Sequence, residues 1–202
     1  MHIALINCTG EGADGWLGDT SLLDRLLSKL DAVRGLDEIV VLRRCHADMI
    51  KEGVEGMKRI GSPMLHELVI NMAPFAVLRW AYKASLYPKR TSFIYCSPQF
   101  PFLDGGKIEA AICALSKTDI ESAITTREGL ALNGSASMGV LKPMSHFVPA
   151  CIAIRDALLE DDDSDEGEFM GSCVKITINQ LEAVDLSCEE GRRLAAGYEN
   201  LI

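Results

Sequence analysis

The sequence predicts an α/β fold: one domain over residues 1–202, with a mostly parallel twisted sheet flanked by helices. Three observations predict it. Residues 3–42 read in succession as strand, glycine-rich loop, helix and strand. The 202 residues are 48% hydrophobic, enough to bury one large core, and two domains of ordinary size are not expected in this length. Beyond residue 90, further apolar strand runs are interleaved with a helical pattern, the order that right-handed crossovers convert into a parallel sheet.

The first strand, Ile3, Ala4, Leu5 and Ile6, is a short continuous apolar run, as expected where both faces are buried. Asn7, Cys8, Thr9, Gly10, Glu11, Gly12, Ala13, Asp14 and Gly15 follow as a loop, where a nucleotide phosphate sits in units of this kind. Asp19, Thr20 and Ser21 offer N-cap oxygens. Leu22, Leu23, Leu26, Leu27, Leu30 and Val33 then recur at helical spacing, so one face of the segment is apolar. Gly35 is expected to end the helix, and residues 39–42 form the second strand. Arg43, Arg44, Cys45 and His46 stand at its carboxyl end, the edge that faces the ligand crevice in an open α/β sheet. There the guanidiniums meet either solvent or an anionic substrate.

Residues 47–63 are poorly periodic, and residues 64–86 are read as mostly helical with a kink at Pro74. Residues 91–96 form a third strand and residues 97–103 a turn. Asp104 is expected to cap a helix whose buried stripe is Ile108, Ala111, Ile112 and Leu115. Residues 120–125 make a fourth strand. Residues 127–146, with Gly129, Asn133, Gly134, Ser135 and Gly139, form either an irregular excursion or a loose hairpin. Residues 148–154 are another strand, running into a short helix over 155–159. Residues 160–168 are almost entirely acidic and read as a solvated flexible loop. Residues 173–179 alternate apolar and polar like an edge strand, and the chain closes with a helix opened by Ser187 in a capping-box pattern with Glu190.

The net charge of −9 argues against nonspecific nucleic-acid binding, which needs clustered Lys and Arg. No apolar run reaches the roughly 18 residues of a membrane span, and the first residues lack a charged leader, so a cytoplasmic protein is expected. The seven cysteines are odd in number and lack the close pairs of a zinc site. Most, including Cys113, Cys151 and Cys173 in apolar stretches, are expected to be buried thiols.

Three pieces carry a resemblance to a known family. The first is residues 6–12 with Gly18, Asp19, Thr20, Ser21, Leu22 and Leu23, and the strand from Gly35 through Val41. The second is Tyr95, Cys96, Ser97, Pro98, Gln99, Phe100, Pro101, Phe102 and Leu103, with Ile108 behind them. The third is Val184, Asp185, Leu186, Ser187, Cys188, Glu189 and Glu190, followed by Leu194 and Ala195. In this order they resemble the CMP-sialic acid synthetase (acylneuraminate cytidylyltransferase) family within the sugar nucleotidyltransferase superfamily.

The resemblance implies a nucleotide-diphospho-sugar transferase-like, Rossmann-like fold and transfer of CMP from CTP to an acidic sugar, with pyrophosphate leaving. It implies nucleotide binding by Asn7, Thr9, Gly10, Glu11, Gly12, Ser97 and Pro98, and substrate binding by Gln99, Arg43 and Arg44. Asp185 becomes the catalytic carboxylate and a ligand of Mg2+. A homodimer is implied too, with residues 127–146 the nearest candidate for its contact. The chain departs from the family in two places. Its loop holds Glu11 and no cation, and Ser187 stands where a second aspartate is expected. Lys107, Lys142, Arg43 and Arg44 are the cations near predicted strand ends that could replace the missing charge. Two alternatives follow: a non-catalytic member that binds a nucleotide, sugar or protein partner, or a different α/β enzyme using Cys8 as a nucleophile.

Overall fold

The structure, a computed structural model, describes residues 1–8, 15–44, 64–70, 88–133, 140–155 and 172–199. The expected first strand is β1 (His2–Cys8). Ile3, Ala4, Leu5 and Ile6 are all buried, on both faces of the sheet. Residues 16–21, read from sequence as the approach to a helix, form a small hairpin, β2 (Trp16–Leu17) with β3 (Thr20–Ser21). Gly18 stands at the first central position of its two-residue loop with φ 59°, the left-handed conformation that a type II′ hairpin loop demands there. Ser21 then caps α1 (Leu22–Asp31), its Oγ accepting the Asp24 N–H at 3.0 Å. Leu22, Leu26 and Leu30 are buried as the spacing predicts. The helix ends at Asp31, ahead of Gly35, which supplies a positive φ of 83° in the turn before β4 (Glu38–Arg44).

β5 (Met64–Ile70) overturns the helical expectation for those residues: it pairs in parallel with β4, Glu38 opposite Met64 through Arg44 opposite Ile70. A seven-residue run of apolar residues interrupted by His66 and Glu67 has no decisive period of its own, and the ladder offered by the edge of β4 selects the strand. The remainder of the predicted 64–86 helix, including Pro74, lies outside the described residues. β6 (Ser92–Cys96), α2 (Gly105–Leu115), β7 (Ser122–Asn133), β8 (Val140–Arg155), β9 (Cys173–Ile178) and α3 (Glu189–Glu199) complete the described elements.

Among the described residues, seven strands form one sheet in the order β5-β4-β1-β6-β8-β7-β9, and β8 alone runs against the others. The strands expected at 91–96, 120–125, 148–154 and 173–179 are all present, the last at an edge. Residues 127–146 resolve in favour of the hairpin: β7 and β8 stay paired from Thr126 opposite Phe147 to Asn133 opposite Val140. Arg155 belongs to β8, so no helix begins there, and residues 156–159 and the acidic 160–168 segment lie outside the described residues.

The main core lies on one face of the sheet, where α1 and α2 pack. It contains the predicted stripe Ile108, Ala111, Ile112 and Leu115 together with Ala4, Ile6, Ile39, Val41 and Ile94. Asp104 holds the N-cap position of α2 but makes no side-chain capping bond. Of the described cysteines, Cys8, Cys96 and Cys151 are buried, Cys173 is half-buried, and Cys113 and Cys188 are exposed. Burial of most thiols was too broad an expectation, since Cys113 falls one residue off the buried stripe of α2. No described helix is long and apolar enough to cross a membrane.

The β7–β8 register shifts between Ile124 and Thr126, and the Thr125 hydroxyl fills the gap in the ladder. It donates toward the Val148 carbonyl at 2.6 Å and accepts the Cys151 N–H at 3.0 Å. Thr125→Val keeps the shape but strands the buried Cys151 N–H and removes a donor from the half-buried Val148 carbonyl. An expected loss of about 2 kcal/mol corresponds to a melting temperature lowered by roughly 4–8 °C, checked by thermal melts followed by circular dichroism.

Candidate functional site

The turn after β6 is built by its prolines. Ser97-Pro98-Gln99-Phe100 and Phe100-Pro101-Phe102-Leu103 are successive turns, each closed by an N–H to C=O bond across four residues (Phe100 to Ser97 at 3.3 Å, Leu103 to Phe100 at 3.2 Å). Proline stands second in both, where its fixed φ is preorganised. The Ser97 hydroxyl accepts the Gln99 N–H at 3.3 Å. Lys29 of α1 reaches over to donate to the carbonyls of Pro101 and, at 2.8 Å, Leu103.

Partial burial lowers the Lys29 pKa from its ordinary 10.5, with Arg25 adding to the effect and Asp104 and Glu182 opposing it. The unfolded chain therefore holds more protons than the folded one between the lowered value and 10.5, and across that window stability rises with pH. Lys29→Met should remove this rise, which urea-midpoint measurements on both proteins from pH 8 to 10.5 would detect.

The closing segment is held against the same turn. The Leu186 N–H donates to the Gln99 carbonyl at 2.9 Å. Asp185 turns the chain here, its Oδ1 accepting the Ser187 N–H at 2.8 Å, a local side-chain-to-backbone bond favoured by aspartate. α3 starts at Glu189, later than the predicted capping box at Ser187, and the Cys188 sulfur accepts the Gly191 N–H at 3.3 Å. The cap is therefore a thiol, and Ser187 lies outside the helix. Gly191 has no room for a side chain: a Cβ there would lie 1.8 Å from the Asp185 carbonyl oxygen. This close approach lets α3 pack Ala195 against Leu17, Leu22, Val184 and Leu186.

Between the β2–β3 hairpin, the Gln99 turn and α3 lies a cavity of about 330 Å³. Gly15, the last residue of the glycine-rich loop, is on its rim, with Trp16, Gln99, Leu186 and Arg192. The Arg192 guanidinium donates to the carbonyls of Leu186 at 3.0 Å and Ser187 at 3.2 Å, which holds a cation at the cavity. Trp16 is 68% exposed, an unusual state for so large an apolar side chain.

Several sequence-predicted residues converge on the carboxyl ends of β1, β4 and β6. Arg43 lies opposite Cys8 in the β1–β4 ladder, Arg44 ends β4, and Ser97, Pro98 and Gln99 follow β6 directly. Asn7 is in β1, its amide donating to the Tyr95 hydroxyl at 2.5 Å. Asp185 joins them through Leu186. Thr9, Gly10, Glu11 and Gly12 lie outside the described residues, as does the Lys142 side chain. Lys107 donates to the Thr177 carbonyl at 2.9 Å, tying α2 to β9. Among the described residues, no group of three or more His, Cys, Asp or Glu side chains is arranged to hold a metal.

This topology has solved counterparts. The chain is similar to 4-diphosphocytidyl-2C-methyl-D-erythritol synthase from Anaerococcus prevotii DSM 20548, with TM-score 0.68 and 16% identity over 98% of this chain and 96% of that one. The fold is that of the nucleotide-diphospho-sugar transferases. HddC from Yersinia pseudotuberculosis matches this transferase fold with TM-score 0.62 and 15% identity over 98% of this chain and all of that one. Another 4-diphosphocytidyl-2C-methyl-D-erythritol synthase gives 0.60 and 14% over 96% of each. No family model matches the sequence, and no curated protein matches it.

Sequence reasoning missed Arg192, Trp16 and the hairpin that carries Trp16. Their signals were faint: a Gly-Asp dipeptide at residues 18–19, and an arginine three and four residues before Ala195 and Ala196, a spacing that puts all three on one helix face.

Proposed function

We propose that the chain is a cytidylyltransferase: it binds CTP at the carboxyl edge of the sheet and transfers CMP to an acidic sugar, releasing pyrophosphate. The observation that carries this reading is the convergence of Gly15, Gln99, Leu186 and Arg192 on one cavity, with Asp185 one residue before Leu186, in a transferase fold. The name 4-diphosphocytidyl-2C-methyl-D-erythritol synthase, borne by two of the similar structures, supports cytidylyl transfer as the reaction class. The acceptor's charge, a carboxylate or a phosphate, pairs with Arg43 and Arg44 at the end of β4.

In-line attack on the α-phosphate requires stabilisation of negative charge on the departing pyrophosphate. With Glu11 in the loop, that stabilisation falls to backbone N–H groups and to cations from elsewhere, Arg192 first among them. Gln99, set in the first proline turn and lining the cavity, positions base or sugar. Mg2+ is commonly held by one or two carboxylates plus substrate phosphates. With Oδ1 engaged by the Ser187 N–H, Asp185 would hold the ion through its second oxygen, and the ion would neutralise phosphate charge. A homodimer through the β7–β8 hairpin and a cytoplasmic setting belong to the same proposal.

Turnover tests it: CTP with acidic sugars bearing a carboxylate or a phosphate should release pyrophosphate with one of the two classes. No pyrophosphate with either class, under conditions where CTP is bound, would refute the transferase reading. Arg192→Ala should weaken CTP binding about 10- to 100-fold, the worth of one charge-assisted hydrogen bond, measured by calorimetry on protein whose melting temperature is unchanged. A second reading, a binding member of the fold without catalysis, is favoured by the local engagement of Asp185 with Ser187 and by the serine at the second acidic position.

A further inference from the structure

The centre of the sheet carries two thiols side by side. Cys96 ends β6 and Cys151 lies in β8, and they are direct partners in the antiparallel β6–β8 ladder. Both belong to the main core and are essentially inaccessible, at 0% and 1% exposure. Their pairing type can be read from the backbone. The Ser97 N–H donates to the Ala150 carbonyl across the same two strands at 3.3 Å, so the next pair outward along that register is hydrogen-bonded. Antiparallel pairs alternate, which makes Cys96 and Cys151 a non-hydrogen-bonded pair. The Cys151 N–H confirms it by pointing the other way, to the Thr125 hydroxyl of β7 at 3.0 Å.

Opposed residues in such pairs have Cα atoms about 4.5 Å apart, inside the roughly 4.4–6.8 Å range that a disulfide spans. Directly opposed residues of a ladder project from the same face of the sheet, so the two thiols are cross-strand neighbours. We infer that Cys96 and Cys151 form a reversible cross-strand disulfide when the protein meets a peroxide. One thiolate attacks the peroxide oxygen to give a sulfenic acid and release hydroxide. The second thiol then displaces that hydroxyl as water, so that two thiols and one hydrogen peroxide yield one disulfide and two waters. The hydrogen bond to Cys151, together with burial, pushes the Cys96 thiol up, so few thiolates are present and the bond forms more slowly than oxidation at the exposed Cys113 and Cys188. The linkage joins β6 to β8 one residue before the Ser97 turn. It is independent of the reaction assigned to the neighbouring cavity.

The test is peptide mapping of the intact chain after hydrogen peroxide, raised until Cys113 and Cys188 are fully consumed, followed by alkylation under denaturing conditions. The expected product is a Cys96–Cys151 linked peptide, two mass units below the reduced pair and restored by dithiothreitol. Any outcome in which Cys96 and Cys151 are not joined to each other overturns the inference, whether they stay alkylatable, go to sulfinic acid or link to other cysteines. In Cys151→Ala, Cys96 should enter no intramolecular disulfide, and a link from Cys96 to another cysteine in that variant would equally count against the pair.

Discussion

Gly191→Ala is expected to be among the most damaging single-methyl additions in this chain. The added Cβ would meet the Asp185 carbonyl oxygen at 1.8 Å, its carbon at 2.6 Å and the Asp185 nitrogen at 3.2 Å. All three are backbone atoms, so no side-chain rotation relieves the contact, and either α3 or the Asp185 turn must move. Overpacking of this kind costs about 3 kcal/mol or more, or roughly 6–12 °C in melting temperature. The displacement also acts on the site, because Leu186, one residue on, is the link to Gln99, and CTP affinity should fall with stability. Gly197 is the internal control. It sits in the same helix with nothing within 4 Å of an added Cβ, so Gly197→Ala should be neutral or stabilising by up to about 1 kcal/mol through helix propensity. Thermal melts of the two variants should diverge in sign.

Glu182→Ala is expected to cost about as much by a different route. Glu182 is 4% exposed, and its carboxylate accepts the N–H of Asp104 at 3.3 Å and that of Asn179 at 2.8 Å. The Asn179 side chain returns a bond to the Glu182 N–H at 2.9 Å. Hydrogen bonds to a charged acceptor contribute about 1.5–3 kcal/mol each, and alanine leaves both donors without this partner. A loss of about 3–5 kcal/mol is expected from denaturant unfolding. Glu182→Gln keeps the shape and one accepting oxygen, so it should lose about half as much. Equal losses in the two variants would mean that packing, and not the carboxylate, holds this corner.

The sheet was legible in the sequence where buried strands leave short apolar runs, as at β1, β4 and β6, and where an edge strand alternates apolar and polar residues, as at β9; all four lie close to their expected places. Where a run was short and its flanks ambiguous, as at Met64–Ile70, the partner strand decided the structure, and a partner strand is not a local property. The hairpin at residues 16–21 was hidden because one glycine and two capping residues serve a turn as well as a helix start. At the site, the approximate positions of Gln99, Arg43 and Asp185 followed from reading strand ends and loops in order. The role of Arg192 did not, since it depends on α3 approaching the Asp185 turn closely enough for its guanidinium to reach the Leu186 carbonyl. Gly191 permits that approach, and a glycine inside a helical pattern carries no sign of which backbone it will touch.

The claim on which the functional account rests is that this carboxyl edge binds a cytidine nucleotide. Titration calorimetry of the intact chain with CTP in the presence of Mg2+ tests it most directly. Saturable binding by millimolar CTP, weakened in Arg192→Ala, is the expected result; absence of binding heat up to millimolar CTP at two temperatures would contradict it.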